Sequence, residues 1–385
     1  MSEDAQPDWD PTSDDVRRDQ RGAYDEMRER CPIAYSDSMK WSIFRHDDVV
    51  RVLEDHETFS NAVSQHFSVP NGMDPPEHTP YRRIIEKYFA ADRMDAFEPV
   101  VRTIAEELLE SLLSSGSRVD VMEDFAKPFA GRVQCAFLGW PDSLHEPLIR
   151  WAEKNHDATR DRDRRASSEI AREFEALVDD MIETRLEDGV RPEEDVTAEL
   201  MQEKIGSRRL SNEEIASILR NWTVGEIGTI SASVGILVHY LAEHEDLQAK
   251  LRRDPGLLLA AIDEILRLHG PLVANRRITT RPVNLAGQVL EAGERITIMW
   301  LAAHRDGRRF DEPNAFRFDR DPDDNLLYGA GIHVCPGAPL ARMELRVVLE
   351  ELLDETSEIC LHPDARPVPA EYPASGFAAV PVRIN

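Results

Sequence analysis

The chain is poor in cysteine, poor in basic residues and without any long uninterrupted apolar run. Four cysteines, Cys31, Cys135, Cys335 and Cys360, are scattered through 385 residues. That spacing excludes a disulfide framework and a closely spaced zinc set, and it fits a reducing compartment. The opening residues Met-Ser-Glu-Asp-Ala-Gln-Pro have neither a basic region nor an apolar stretch. No later segment reads as a continuous apolar span of bilayer length, so secretion and membrane spanning are not expected and a cytoplasmic location is. Lys and Arg number 46 against 73 Asp and Glu, a formal charge of -27. Neutralising phosphates needs a positive surface, so this balance disfavours nucleic acid as a partner. The excess acid reads as a strongly solvated surface or as adaptation to high salt. No internal repeat and no flexible linker divides the chain, whose length is within reach of one large mixed fold.

What is present is mostly helical pattern. Residues 1–15 are polar and acidic, with Pro7 and Pro11, and read as a flexible tail ahead of one domain over 16–385. Trp41-Ser42-Ile43-Phe44 and Val49-Val50 predict a strand and then a helix. Helices are expected over 80–89, 96–115 and much of 141–186, the last a highly charged region containing Asn155-His156-Asp157. Ser211-Asn-Glu-Glu214 is a capping box opening a long helix to about His244, interrupted by Gly225, Gly228 and Gly235. Further helices are expected over 246–253, 257–269 and 338–355. Short strands and turns fill 271–300, a Pro-, Arg- and Asp-rich coil fills 305–326, and Phe377–Val382 reads as a terminal strand. The fold class is mainly α with minor β sheets.

The most informative stretch is Tyr328-Gly-Ala-Gly-Ile-His-Val-Cys335-Pro-Gly337. Glycines on both sides of the sulfur let a loop fold tightly and approach a flat ligand without Cβ atoms in the way. Helical pattern resumes after Cys335, so the thiol sits ahead of a helix N-terminus, where a thiolate is stabilised. A lone cysteine in a turn is more often inert; the surrounding stretch reverses the odds. Such a thiolate can serve as the proximal ligand of heme iron.

This loop, together with Glu264-Ile-Leu-Arg267, resembles the soluble bacterial cytochrome P450 family over nearly the whole chain. The resemblance implies a single-domain P450 fold holding heme b (iron protoporphyrin IX), with Cys335 as the axial thiolate and metal ligand. Tyr328 stands where the family usually has phenylalanine. Glu264 and Arg267 imply a structural pair joined by an arginine of the later coil, with Arg317 the first candidate and Arg320 the second. For the heme propionates the resemblance points to His78, Arg82, Arg276 and His333, with Arg277 competing with Arg276.

The long helix departs from the family. Counting back without gaps places Gly225-Glu226-Ile227-Gly228-Thr229 where family members carry a small residue, Gly, any residue, an acid and Thr. Thr229 matches the oxygen-side alcohol, but Gly228 occupies the acid position and Glu226 the glycine position. A local bulge would bring the Glu226 carboxyl into the proton path; otherwise Glu226 pairs elsewhere and water carries the proton.

The resemblance implies a heme-thiolate monooxygenase acting by hydroxylation or oxidative dealkylation on a small or medium apolar or aromatic molecule. Pocket candidates are Phe67, Val69, Val224, Ile227, Val273, Ala274 and Phe377, residue types equally at home in a core. No flavin or iron–sulfur segment is visible, so electrons are expected from a separate ferredoxin-like or flavodoxin-like donor and an NAD(P)H-dependent reductase. Arg342 and Arg346 are candidates for docking that donor. The rivals are a peroxide-dependent peroxygenase, a heme isomerase and a non-catalytic heme or ligand-binding protein. A zinc enzyme is disfavoured, because no credible ligand cluster accompanies Cys335 and His333.

Overall fold

The computed structural model describes residues 7–64, 66–114, 119–193 and 195–384; helices dominate it and short strands gather into small sheets. The chain divides into two compact units. One comprises Met1–Phe67, Asn71–Glu77 and Asp263–Cys335; the other comprises Ser68–Pro70, His78–Ile262 and Pro336–Asn385.

The first unit is built on a five-stranded sheet. Its order is Ile33–Ser36, Lys40–Ile43, Arg295–Met299, Ala274–Thr279 and Phe59–Ser60. Lys40–Ile43 and Arg295–Met299 run parallel, with Ile298 opposite Ile43, and the other neighbours are antiparallel. Helix His46–Glu54 places Val49, Val52 and Leu53 on one face at helical spacing. These pack with Ile43, Phe59, Ile296, Ile298 and Trp300 into the core of this unit.

The tail expected over residues 1–15 is not flexible where it is described, from residue 7 on. Residues 1–6 lie outside the described ones, but beyond them the chain is anchored. The Asp8 N–H donates to the Tyr35 carbonyl at 2.9 Å, and Trp9 is buried edge-on against Tyr24 and Phe44. An indole buried this way supplies more apolar contact than the local Pro and acid pattern suggests. Helix Gln20–Arg30 is equally hard to see in the sequence, because its buried residues Tyr24 and Met27 stand among charges.

The second unit is a stack of helices with a small antiparallel sheet of Ile359–Leu361, Pro381–Ile384 and Val119–Asp120. Its axis is helix Asn212–Glu243. The capping box is present: Ser211 Oγ accepts from the Glu214 N–H at 3.2 Å, and Glu214 accepts from the Ser211 N–H at 2.7 Å. The three glycines do not interrupt this helix, which is α-helical throughout. Each glycine costs about 1 kcal/mol of helix propensity, which burial of Ile215, Ile218, Leu219, Ile230 and Val234 offsets. By length and composition the helix passes as a bilayer span, contrary to the sequence reading, yet 67% of its most apolar window is buried inside the protein. It is a core helix.

Candidate functional site

In the first unit, Cys335 is exposed at the end of a loop fixed by its own backbone. The Cys335 N–H donates to the Tyr328 carbonyl at 2.8 Å, and the Gly329 N–H donates to the Leu326 carbonyl at 2.8 Å. Gly329 and Gly331 lie in the left-handed region, at φ 76° and 68°. At Gly331 a Cβ would also collide with the Leu53 carbonyl oxygen, so this position needs glycine twice over. His333 ends the single 3₁₀ turn Gly331–His333 just ahead of the sulfur.

Glu264 and Arg267 form a bidentate pair at 2.7 and 2.9 Å, and Arg267 is among the most buried side chains of the protein. The third member is Arg320, not Arg317. Arg320 Nε donates to Glu264 at 2.7 Å, and its other nitrogens donate to the carbonyls of Asp311, Glu312 and Ala315. Arg317 sends only its backbone N–H to Glu264, at 3.1 Å, and its guanidinium goes to Asp319 at 2.8 Å. The acid two residues on holds Arg317 outward, leaving the interior place to Arg320.

Strand alternation separates Arg276 from Arg277. Arg276 is exposed, whereas Arg277 is buried and its Nη1 donates to the Arg276 carbonyl at 2.8 Å. Burial pulls the Arg277 guanidinium down to about 10, against the charge of Asp74. Arg276 is therefore the one of the two whose side chain reaches solvent.

In the second unit, Asn221, Val224, Gly225, Gly228 and Thr229 share one incompletely buried face of the long helix. Thr229 Oγ1 donates to the Gly225 carbonyl at 2.6 Å, which spends its proton and leaves its oxygen lone pairs to accept. Glu226 is not on that face. There is no bulge to turn it, and its carboxyl lies beside that of Glu344 on helix Ala338–Glu355, both Glu344 oxygens and Glu226 Oε1 being buried without a hydrogen-bond partner among the described residues. Burial of both groups and their mutual repulsion hold the pair's last proton far above the ordinary carboxylate range. Glu344 is a residue that sequence reasoning missed, since an acid in a helix full of acids carries no local signal. His78 and Arg82 sit one turn apart on helix His78–Glu86, with His78 buried and Arg82 Nε donating to Glu86 at 2.7 Å.

The pocket candidates divide. Phe67, Val224, Ala274 and Phe377 retain exposure, and Phe377 stacks on His239 with ring centroids 4.2 Å apart. Ile227, Val69 and Val273 are buried core residues. Ile227 lies on the inward side of the helix. Val69 is held by its backbone, its N–H donating to Ser217 Oγ at 2.8 Å and its carbonyl accepting from Asn221 at 3.0 Å. Ser217 and Asn221 thus clamp the backbone at Val69, a role invisible before the fold is known. Arg346 is not available for docking a partner, because its guanidinium is committed to Glu98 and Glu350 at 2.5 and 2.9 Å.

A heme requires an accessible soft axial donor and cations for its carboxylates. Within the first unit, the exposed Cys335 sulfur on its glycine turn and the exposed Arg276 supply that chemistry. The family model for Cytochrome P450 matches residues 256–382. Over 336 residues the chain is 32% identical to the probable cytochrome P450 127A1 of Sinorhizobium fredii, covering 84% of this chain and 79% of that protein. It is 30% identical over 358 residues to the mycinamicin IV hydroxylase/epoxidase of Micromonospora griseorubida, covering 88% and 89%. The crystal structure of CYP109E1 from Bacillus megaterium in complex with testosterone superposes with a TM-score of 0.88 at 28% identity, covering 97% of this chain and 100% of that one. The chain belongs to the cytochrome P450 family and is a monooxygenase working with heme b.

Proposed function

We propose that this P450 hydroxylates or oxidatively dealkylates a small or medium apolar or aromatic molecule, with Cys335 as the axial thiolate. The observation that carries the reading is the Cys335 loop, an exposed sulfur on a turn that its own hydrogen bonds and Gly331 hold in one shape. Bound heme supplies dioxygen activation and oxygen transfer, helped by electron density from the thiolate. Everything else falls to the chain's own side chains. His78, Arg82, Arg276 and His333 would hold the heme carboxylates through charge-assisted hydrogen bonds. Thr229 would accept a hydrogen bond from water on the open face of the long helix. Glu264, Arg267 and Arg320 would keep the coil before the cysteine loop in place.

Phe67, Val224, Ala274 and Phe377 would meet the substrate. A relative named as a mycinamicin IV hydroxylase/epoxidase and a solved relative in complex with testosterone support an organic small-molecule substrate. P450 monooxygenases take electrons from redox partners; here a ferredoxin-like or flavodoxin-like protein with an NAD(P)H-dependent reductase would supply them. The four free cysteines support work in the cytoplasm.

Gly228 favours one second reading, a peroxide-dependent peroxygenase, since peroxide brings its own protons where the usual acid is missing. The test begins with the absorption difference between reduced protein with and without carbon monoxide, in wild type and Cys335→Ser. A thiolate-type Soret band lost in the variant supports the ligand, and its absence from heme-loaded wild type sinks it. Product formed with NADPH and added redox proteins then supports the monooxygenase, whereas product with peroxide alone supports the second reading.

A further inference from the structure

The place left by the missing acid at Gly228 is not empty of titratable chemistry. A Cβ at Gly228 would point at His156 of helix His145–Arg160, lying 3.5 Å from both its Cε1 and its Nε2. The imidazole therefore presents its Cε1–Nε2 edge where an acidic side chain at 228 would begin, and glycine lets that edge lie against the helix. Thr229 is the next residue on the same partly open face.

The ring is half-buried, and among the described residues neither nitrogen is engaged in a hydrogen bond. Burial lowers its proton affinity more than two neighbouring acids raise it. Those acids are Glu153, bonded to Lys127 at 2.8 Å, and Asp157, paired with Arg160 at 2.9 Å. Neighbouring helix Arg164–Asp188 ties its Glu173 to Lys154 at 3.0 Å, away from the ring. The long helix presents Val224, Gly225, Gly228 and Thr229, none of them titratable, while its own Glu226 is turned to Glu344. A neutral imidazole with one donor and one acceptor nitrogen can take a proton at one side and release it at the other.

We infer that His156 is the proton-positioning residue of the open helix face, standing in for the acid that Gly228 lacks. Its edge at Gly228 hands a proton to water accepted by Thr229, and the ring recovers one proton from solvent at the other nitrogen. Exchange with water restores the starting tautomer, so each delivery consumes one solvent proton and leaves the imidazole neutral. This rests on the monooxygenase reading above, and the same proton supply at the helix face would serve hydrogen peroxide as co-substrate.

The test uses full-length, heme-loaded wild type, His156→Ala, His156→Gln, Gly228→Asp and the double variant His156→Ala/Gly228→Asp. The probe is hydrogen peroxide with guaiacol as reductant, which needs no knowledge of the natural substrate, followed across pH. Removing His156 is expected to slow the reaction about 10²-fold, the lower range of general acid–base contributions, and to erase the acidic limb of the profile. His156→Gln should resemble His156→Ala, and Gly228→Asp in the Ala background should restore rate. A second readout is independent of turnover. The histidine NMR signal lost in His156→Gln should titrate below the ordinary histidine value, and Gly228→Asp should raise its midpoint by about one unit or more. Unchanged rate and profile in His156→Ala, with the thiolate band intact, would overturn the relay alone. So would an NMR midpoint indifferent to Gly228→Asp. A wild type lacking the thiolate band would overturn the underlying reading along with it.

Discussion

Glu226 and Glu344 set two carboxyl groups against each other in the protein interior, 9% and 0% exposed, with no cation beside them among the described residues. Both Glu344 oxygens and Glu226 Oε1 are buried without a hydrogen-bond partner among the described residues. Two buried carboxyls side by side cannot both carry a charge without strong repulsion, so the pair titrates as a unit and keeps a proton that either group alone in water would lose.

That pairing fixes a sign for stability against pH. The folded pair binds its proton more tightly than the unfolded chain, so between the ordinary carboxylate value and the raised folded one the folded state carries more protons. Stability therefore falls as pH rises through that window and is fullest below it. Glu344→Gln keeps the shape, donates an amide hydrogen to Glu226 and removes the repulsion. Its melting temperature should match wild type near pH 5 and exceed it at pH 8, by the equivalent of about 1–3 kcal/mol. A variant less stable than wild type at pH 8 would show that the pair is not a shared-proton site.

The buried arginine set makes a second contrast. Arg320→Ala removes one charged bond to Glu264 and three to backbone carbonyls, and should cost about 2–3 kcal/mol, with slower recovery of heme-loaded protein. Arg317→Ala removes a surface pair with Asp319 and should stay within about 0.5 kcal/mol. Paired denaturant melts of the two variants check this, and equal losses would contradict the assignment of Arg320.

Gly331→Ala tests the cysteine loop without touching the sulfur. The added methyl meets the Leu53 carbonyl, and the backbone sits at φ 68°. Backbone cannot step aside as a flexible side chain would, so the loop must reshape. We expect most of the bound heme to be lost at unchanged far-ultraviolet circular dichroism, read as the ratio of Soret to protein absorbance. Full heme occupancy in the variant would mean the loop has more freedom than its hydrogen bonds indicate.

These contrasts mark where the sequence was legible. The cysteine loop and the capping box at Ser211 are local and legible in their own residues, whereas the Glu264–Arg267 pair was legible only through the family resemblance, its spacing alone suiting a surface salt bridge equally well. The choice of Arg320 over Arg317 depended on Asp319, a competitor two residues away that spacing does not weigh. Trp9 was hidden because one indole buried by distant Tyr24 and Phe44 outweighs a polar neighbourhood. Glu344 and His156 were hidden for a deeper reason. Each acquires meaning only from the helix it faces, so neither Glu226 nor Gly228 could be interpreted until its partner helix was in place.

Thr229 separates a structural from an oxygen-side hydroxyl. Its Oγ1 donates to the Gly225 carbonyl, a bond any helical Ser or Thr can make and one that contributes little to stability. Thr229→Val keeps the shape and deletes that bond, so its melting temperature should move little. If the hydroxyl oxygen also accepts from water on the open face, the same variant should still consume NADPH with added redox proteins but divert most of it to hydrogen peroxide. Thr229→Ser retains the oxygen at the cost of a methyl and should keep most of the coupling. A purely structural hydroxyl predicts the reverse pattern, with coupling equal in all three proteins. The ratio of hydrogen peroxide released to NADPH consumed therefore decides the role, because only an oxygen-side function makes valine and serine diverge.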